Sequence, residues 1–263
     1  MRKITINLAA VAAFCIVVAS PALVSSSCAT PKTEQEDTTI IREDLGITAL
    51  KYSSPEVPTS IEFCGKTIDL SRFDRHERMD RELLAFTYMH STSLQMLKKA
   101  NRYFPIVEPI LKENGIPDDF KYLMVIESNM NPTARSSAGA AGLWQFMQGT
   151  GRDYGLEVNN NVDERYHIEK ATRAACRYLK DAYAKYKDWV AVAASYNAGQ
   201  ARIASQLAKQ DVDDSLDLQL VEETARYVYR ILAAKQLFSA PTTFGFRLRA
   251  SDLYPPIPYT EVT

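Results

Sequence analysis

From residue 74 onward the apolar positions recur at steps of three and four, the period of an amphipathic helix. Leu83, Leu84, Tyr88, Leu94 and Leu97 back a long polar segment and predict one helix, or two in sequence. Asn114-Gly115-Ile116-Pro117-Asp118-Asp119 then closes one helix on its glycine and opens another with proline and two acids in the first turn. That next helix holds the apolar run from Tyr122 to Ile126, followed by Glu127. Because Pro132 disfavours the α conformation at Asn131, the helix should stop near Ser128. Ala171, Ala175, Tyr178, Ala182 and Tyr186 form one stripe of a helix over residues 169–186. The stretch from Trp189 to Ala194 is apolar all round and reads as a buried helix stopped by Asn197-Ala198-Gly199. Tyr227, Ile231, Ala234 and Leu237 face inward from a last helix over 222–237. No convincing run of alternating strand residues and no internal repeat interrupts this pattern, so the expected fold class is all-α.

The ends of the chain read differently. Arg2-Lys3, the largely apolar run from Ile4 to Ala19 and a small-residue stretch reaching Ser27 have the form of a secretory signal peptide over 1–27. Its apolar core is too short for a comfortable membrane span. Cys28, preceded by small residues and followed by Ala29, is a candidate lipid-attachment cysteine, with simple cleavage and a free periplasmic protein as the alternative. Residues 28–59 are polar, charged and broken by Pro31, Pro55 and Pro58, as in a flexible tether. A small N-terminal helical extension is expected over 60–100, the main helical domain over 101–240 and a Pro-rich tail over 241–263.

Composition narrows the partners. The chain has 263 residues, is 46% hydrophobic and 24% charged, and carries a net charge of −1, or −3 (−1 minus 2) once the signal leaves with Arg2 and Lys3. No basic stripe stands out, which argues against nucleic acid. His76, His90 and His167 are scattered without a metal-ligand spacing, and there is no Gly-rich phosphate loop, so neither metal nor cofactor is expected. With Cys15 in the signal and Cys28 at the anchor, Cys64 and Cys176 remain. They are either two separate thiols or, in an oxidising compartment, a pair.

Glu127 carries the candidate chemistry. In the last turn of its helix it sits beside unpaired carbonyls and the negative end of the helix dipole, against an apolar wall. Both effects raise a carboxyl pKa, the setting of a general acid near neutral pH. Downstream, Ser136-Ser137-Ala138-Gly139-Ala140-Ala141-Gly142-Leu143-Trp144-Gln145-Phe146-Met147 pairs flexible glycines with flat apolar faces and an amide, a mixture that suits sugars. For Trp144 plain core packing is an equal alternative.

Glu127-Ser128, the Gly-Ala-x-Gly-Leu-x-Gln-x-Met run and Ser195-Tyr196-Asn197-Ala198-Gly199, in that order, resemble the soluble-lytic-transglycosylase domain of glycoside hydrolase family 23. The resemblance covers about residues 60–240. It implies a lysozyme-like helical fold, a peptidoglycan glycan strand as the partner, and cleavage of the β-1,4 bond between N-acetylmuramic acid and N-acetylglucosamine. It further implies Glu127 as the catalytic acid/base with Tyr196 and Asn197 beside it, Ser136, Gln145 and Met147 lining the sugar cleft, and Glu223 as a further cleft carboxylate. Two positions depart from the family pattern: Ser195 stands in place of Ala, and Ala225 stands in place of the Arg that usually follows the Thr, with Arg226 next.

No second carboxylate accompanies Glu127 within its own motif, whereas ordinary glycosidases use two. The resemblance implies that Glu127 protonates the glycosidic oxygen and then takes a proton from the muramoyl C6 hydroxyl, closing a 1,6-anhydro ring. A goose-type lysozyme-like hydrolase and a non-catalytic peptidoglycan-binding lipoprotein are the competing readings. The protein is expected to be an exported, periplasmic monomer anchored to the outer membrane.

Overall fold

Period-3.6 patterning becomes eight α-helices in the computed structural model, which describes residues 53–258. They are α1 (Phe73–Tyr88), α2 (His90–Glu113), α3 (Lys121–Ser128), α4 (Gln148–Asp153), α5 (Ile168–Tyr186), α6 (Trp189–Ala198), α7 (Gln200–Lys209) and α8 (Glu222–Ser239). The expected signal peptide, Cys28 and the tether up to residue 52 lie outside the described residues.

The segment expected as two helices in sequence is two, broken at Met89, and α2 then runs unbroken through residues 100 and 101, so no structural break falls at the expected edge of the catalytic domain. α4 and α7 were not among the helices singled out, and a strand pair was not expected either. Ser60–Phe63 (β1) and Lys66–Asp69 (β2) form an antiparallel hairpin with Ile61 opposite Ile68, which corrects the reading of residues 60–100 as purely helical. Its two-residue loop is Cys64-Gly65, both at positive φ (53° and 82°), the combination that matches the strand twist of a tight hairpin. Ile61, Phe63, Ile68 and Leu70 point into the core. The hairpin is tied to the turn before α3, where Asp119 accepts from the Cys64 N–H at 2.7 Å, and to α8, where Lys235 donates to the Glu62 carbonyl at 2.6 Å.

The helix without a polar face is the most enclosed. Val190 to Ala194 are all buried, and α6 packs between α5 and α8. Asp188 caps it, accepting from the Val190 N–H at 2.8 Å. α8 is the central element: α1, α3 and α6 all pack on it, burying Tyr227, Val228, Ile231, Leu232 and Leu237. Cys176 is buried on α5 and Cys64 sits at the hairpin tip, both as free thiols. After α8 the tail places Phe244 and Phe246 in the core and then lies along α2. There the Tyr254 N–H donates to the Lys98 carbonyl and Arg102 Nε donates to the Pro255 carbonyl.

Candidate active site

α3 ends where Pro132 requires it to, by means of two left-handed residues. Asn129 (φ 49°) closes the helix and Met130 (φ 55°) turns the chain inward, with its side chain fully buried. Asn tolerates that conformation, whereas Met does so only because its side chain fills the core. The turn leaves Glu127 on the last turn of α3, partly open to solvent but set among buried side chains.

Three groups from α8 meet it. The Tyr227 hydroxyl donates a short hydrogen bond to Glu127 Oε1. Arg230 donates to the Ile126 carbonyl at 3.2 Å, so one of the helix-end carbonyls is capped by a cation. Glu223 lies close enough for its charge to be felt. Burial is the largest effect and pushes the Glu127 carboxyl from 4.5 up to about 7; Glu223 adds to the rise, while Tyr227 and Arg230 oppose it. Of the two causes expected, the apolar surroundings dominate through desolvation, while Arg230, on the Ile126 carbonyl at the helix end, works against the rise.

Tyr196, on α6, is held elsewhere than on Glu127. Its hydroxyl donates to the Trp144 carbonyl at 2.8 Å, and its ring sits edge-on to Phe146 and Tyr178 at centroid distances of 6.1 and 5.1 Å. It remains near enough to Glu127 for that charge to push its hydroxyl well above the usual tyrosine range, after burial. Asn197 accepts from Thr224 Oγ1 at 2.8 Å and donates to Glu223 Oε1 at 3.5 Å, tying the end of α6 to the start of α8. The Ser195 hydroxyl turns back onto the Val192 carbonyl at 2.7 Å, so this departure from the family pattern is satisfied inside its own helix.

The loop from Asn131 to Met147 forms the adjoining wall. Gln145 sits at φ 49° and spends both amide protons on the Ala134 and Gly142 carbonyls, at 3.2 and 2.8 Å. Gly142 is at φ 80°, and a Cβ there would lie 1.9 Å from the Arg165 carbonyl oxygen. Arg165, buried and paired with Asp163, donates to the Gly139 and Phe146 carbonyls and so fastens the loop from behind. Ser136 caps the same loop, its hydroxyl accepting from the Ala140 N–H at 3.0 Å. Trp144 is core, fully buried with its indole N–H on Thr172. A cleft of about 320 Å³ opens beside this wall, lined by Gln145, Phe146, Met147, Thr150, Tyr178, Tyr196, Asn197, Ala198 and Gly199. Met147 is 46% exposed.

Glu127, Tyr196, Asn197 and Glu223 are therefore brought together. Gln145 and Met147 line the cleft, while Ser136 stands exposed in the loop and outside that lining. Sequence reasoning missed Tyr227, Arg230 and Arg165. Tyr227 was expected only as an inward-facing position, and nothing local distinguishes a tyrosine whose hydroxyl meets a carboxylate 100 residues away.

Glu127, only partly open to solvent and with its carboxyl raised to about 7 by burial, thus lies near Tyr196, which lines a cleft of aromatic and amide groups. Residues 105–217 match the family model described as the transglycosylase SLT domain, and the chain belongs to that family. Over 181 residues it is 30% identical to the membrane-bound lytic murein transglycosylase D of Escherichia coli K12, which covers 67% of this chain and 39% of that protein. The membrane-bound lytic murein transglycosylase C of Haemophilus ducreyi is 29% identical over 150 residues, 51% of this chain and 40% of that one. Among solved structures, the 70 kDa soluble lytic transglycosylase of Escherichia coli aligns with a TM-score of 0.47 at 21% identity, over 61% of this chain and 28% of that one. The chain thus spans well under half the length of these relatives.

Proposed function

We propose that this protein is a peptidoglycan lytic transglycosylase in which Glu127 serves as the single acid/base. The observation that carries the reading is the state of Glu127: its carboxyl is raised to about 7 by burial, yet one oxygen is held by Tyr227. A group with a pKa near the working pH can both give and take a proton.

In the proposed reaction Glu127 donates its proton to the glycosidic oxygen, and the bond from that oxygen to the muramoyl C1 breaks. The substrate's acetamido group stabilises charge at C1. The Glu127 carboxylate, held by Tyr227, then removes the proton from the muramoyl C6 hydroxyl as that oxygen bonds to C1, which regenerates the acid and leaves a 1,6-anhydro end. The internal hydroxyl gains an effective concentration that bulk water lacks. Gln145, Met147, Asn197 and Glu223 would seat the sugars. Tyr196, whose hydroxyl is engaged by Trp144, acts in this scheme through its ring and its hold on the cleft wall. Ser136 would act by shaping the loop that bears Gln145.

Two of the relatives are named as membrane-bound, and among the described residues no helix is long and apolar enough to cross a membrane. The reading extends to an exported monomer held at the outer membrane through lipidated Cys28. Mass spectrometry of digests of purified peptidoglycan tests the chemistry. Anhydromuramoyl ends are expected from the wild type and none from Glu127→Gln. Ends heavier by one water would make the enzyme a hydrolase, and turnover by Glu127→Gln would remove Glu127 from its role.

A further inference from the structure

The helix that carries Tyr227 is also tied to α1, on another of its faces. Tyr227 follows Arg226 directly, and successive helical positions are turned by about 100°, so the two side chains leave α8 on different faces. Tyr227 points to α3 and Arg226 to α1. There Arg226 meets Glu82 through both arms of its fork, Nε to Oε1 at 2.6 Å and Nη2 to Oε2 at 3.2 Å. Glu82 is 2% exposed. A cavity of about 60 Å³ lies beside the pair, lined by Arg78, Arg81, Glu82, Glu222, Ala225 and Arg226, so the helices are not closed on each other by apolar packing at this level. Where the family pattern has arginine after the threonine, Ala225 lines that space and the arginine one position later reaches α1.

We propose that Glu82 is a positioning residue for the active site: its buried two-point pair with Arg226 fixes the rotation and height of α8 on α1, and thereby keeps the Tyr227 hydroxyl on Glu127. The proposal rests on the functional reading above. A buried ion pair is a poor source of stability, since similar-sized apolar residues often do as well, but a bidentate fork admits only one geometry. Arg226 keeps about a third of its side chain exposed, so without its partner it can turn to water and release α8 from this stop. The charged and titratable groups facing Glu127 are Tyr227, Arg230 and Glu223 from α8 and Tyr196 from α6. Of these only Tyr227 bonds its carboxyl, and that bond favours the ionised form.

The test is Glu82→Gln, which keeps the shape and removes the charge, with Arg226→Lys as a second variant that keeps the charge and removes the fork. Three measurements are made on each: kcat and KM on peptidoglycan, the titration of the Glu127 carboxyl by carbon-13 NMR, and the same substitution in a Tyr227→Phe background. Expected are a fall in kcat of roughly tenfold with KM within about twofold, the share of general acid–base catalysis that depends on placement. Glu127 should titrate at higher pH than in the wild type, and Glu82→Gln should have no further effect once Tyr227 is Phe. An unchanged Glu127 titration, or an equal loss of kcat in both backgrounds, overturns the proposal. If the wild type forms no anhydro ends, it is the functional reading that fails, and the NMR titration still decides whether Glu82 acts on Glu127.

Discussion

Glu127→Gln separates a raised carboxyl from an ordinary one by stability alone, with no substrate present. A carboxyl that titrates at about 7 when folded and at 4.5 when unfolded binds more protons in the folded state throughout that window. Stability is therefore present in full below 4.5 and is lost as pH rises through 7. The gap, at 1.36 kcal/mol per pH unit, corresponds to about 3 kcal/mol, and the partial solvent access of Glu127 trims it to about 2 kcal/mol. Glutamine has the shape of the protonated acid and can still accept from Tyr227, so the variant should match the wild type at pH 4. At pH 8 it should be the more stable protein by about 2 kcal/mol. Urea unfolding of both proteins from pH 4 to pH 8, compared at equal slope, measures the difference directly. A Glu127→Gln protein that is less stable than the wild type at pH 8, or a difference that does not change between pH 4 and pH 8, would refute the burial argument and with it the assignment of Glu127 as a proton-holding acid.

Tyr227→Phe removes the hydrogen bond that favours ionised Glu127, so the alkaline limb of the kcat/KM profile should move to higher pH while the maximal rate falls; an unmoved limb would show that the hydroxyl does not act on the carboxyl. Tyr196→Phe strands the Trp144 carbonyl and should cost about 1–3 kcal/mol in urea unfolding, with a smaller loss of rate than Tyr227→Phe. Gly142→Ala forces a Cβ onto the Arg165 carbonyl at a positive φ and should destabilise the protein by more than about 3 kcal/mol; near-wild-type unfolding would mean that the loop is not held as described.

The helices were legible because their faces are decided by what they bury. α5 and α6 appear in the sequence as a stripe and as an unbroken apolar run, and the stop of α3 at Ser128 follows from Pro132 alone. The hairpin was passed over because its strands are four residues each and its signal, Ile61 and Phe63 before Cys64-Gly65 with Ile68 and Leu70 after, is too short to stand out beside helical patterning. Contiguous motifs made Glu127, Gln145 and Tyr196 stand out in the sequence, and in the structure Tyr196 lies near Glu127 while Gln145 and Tyr196 line the cleft. Tyr227, Arg230 and Glu82 did not, because each makes its contact with a helix distant in sequence. A periodicity shows that a tyrosine points inward, but not whether its hydroxyl meets a backbone carbonyl, as Tyr178 and Tyr196 do, or a carboxylate, as Tyr227 does.

That difference bears on why the site needs Tyr227 at all. Burial alone would raise Glu127 and make it a willing proton holder but a reluctant donor, and in the second half of the proposed reaction the anion must exist long enough to take a proton back. Tyr227 and Arg230 both favour the anion, and burial and Glu223 both oppose it. A value near 7 is the balance of these opposing effects, so no one of them can be removed without favouring one half of the reaction over the other. The asymmetry is testable in the variants already named: loss of Tyr227 raises the Glu127 carboxyl further, so it should slow the step that uses the acid more than the step that uses the anion. In single turnovers of Tyr227→Phe, bond cleavage should then be slower while the anhydro ring closes as fast as the bond breaks, and a build-up of cleaved glycan without its anhydro ring would refute the point.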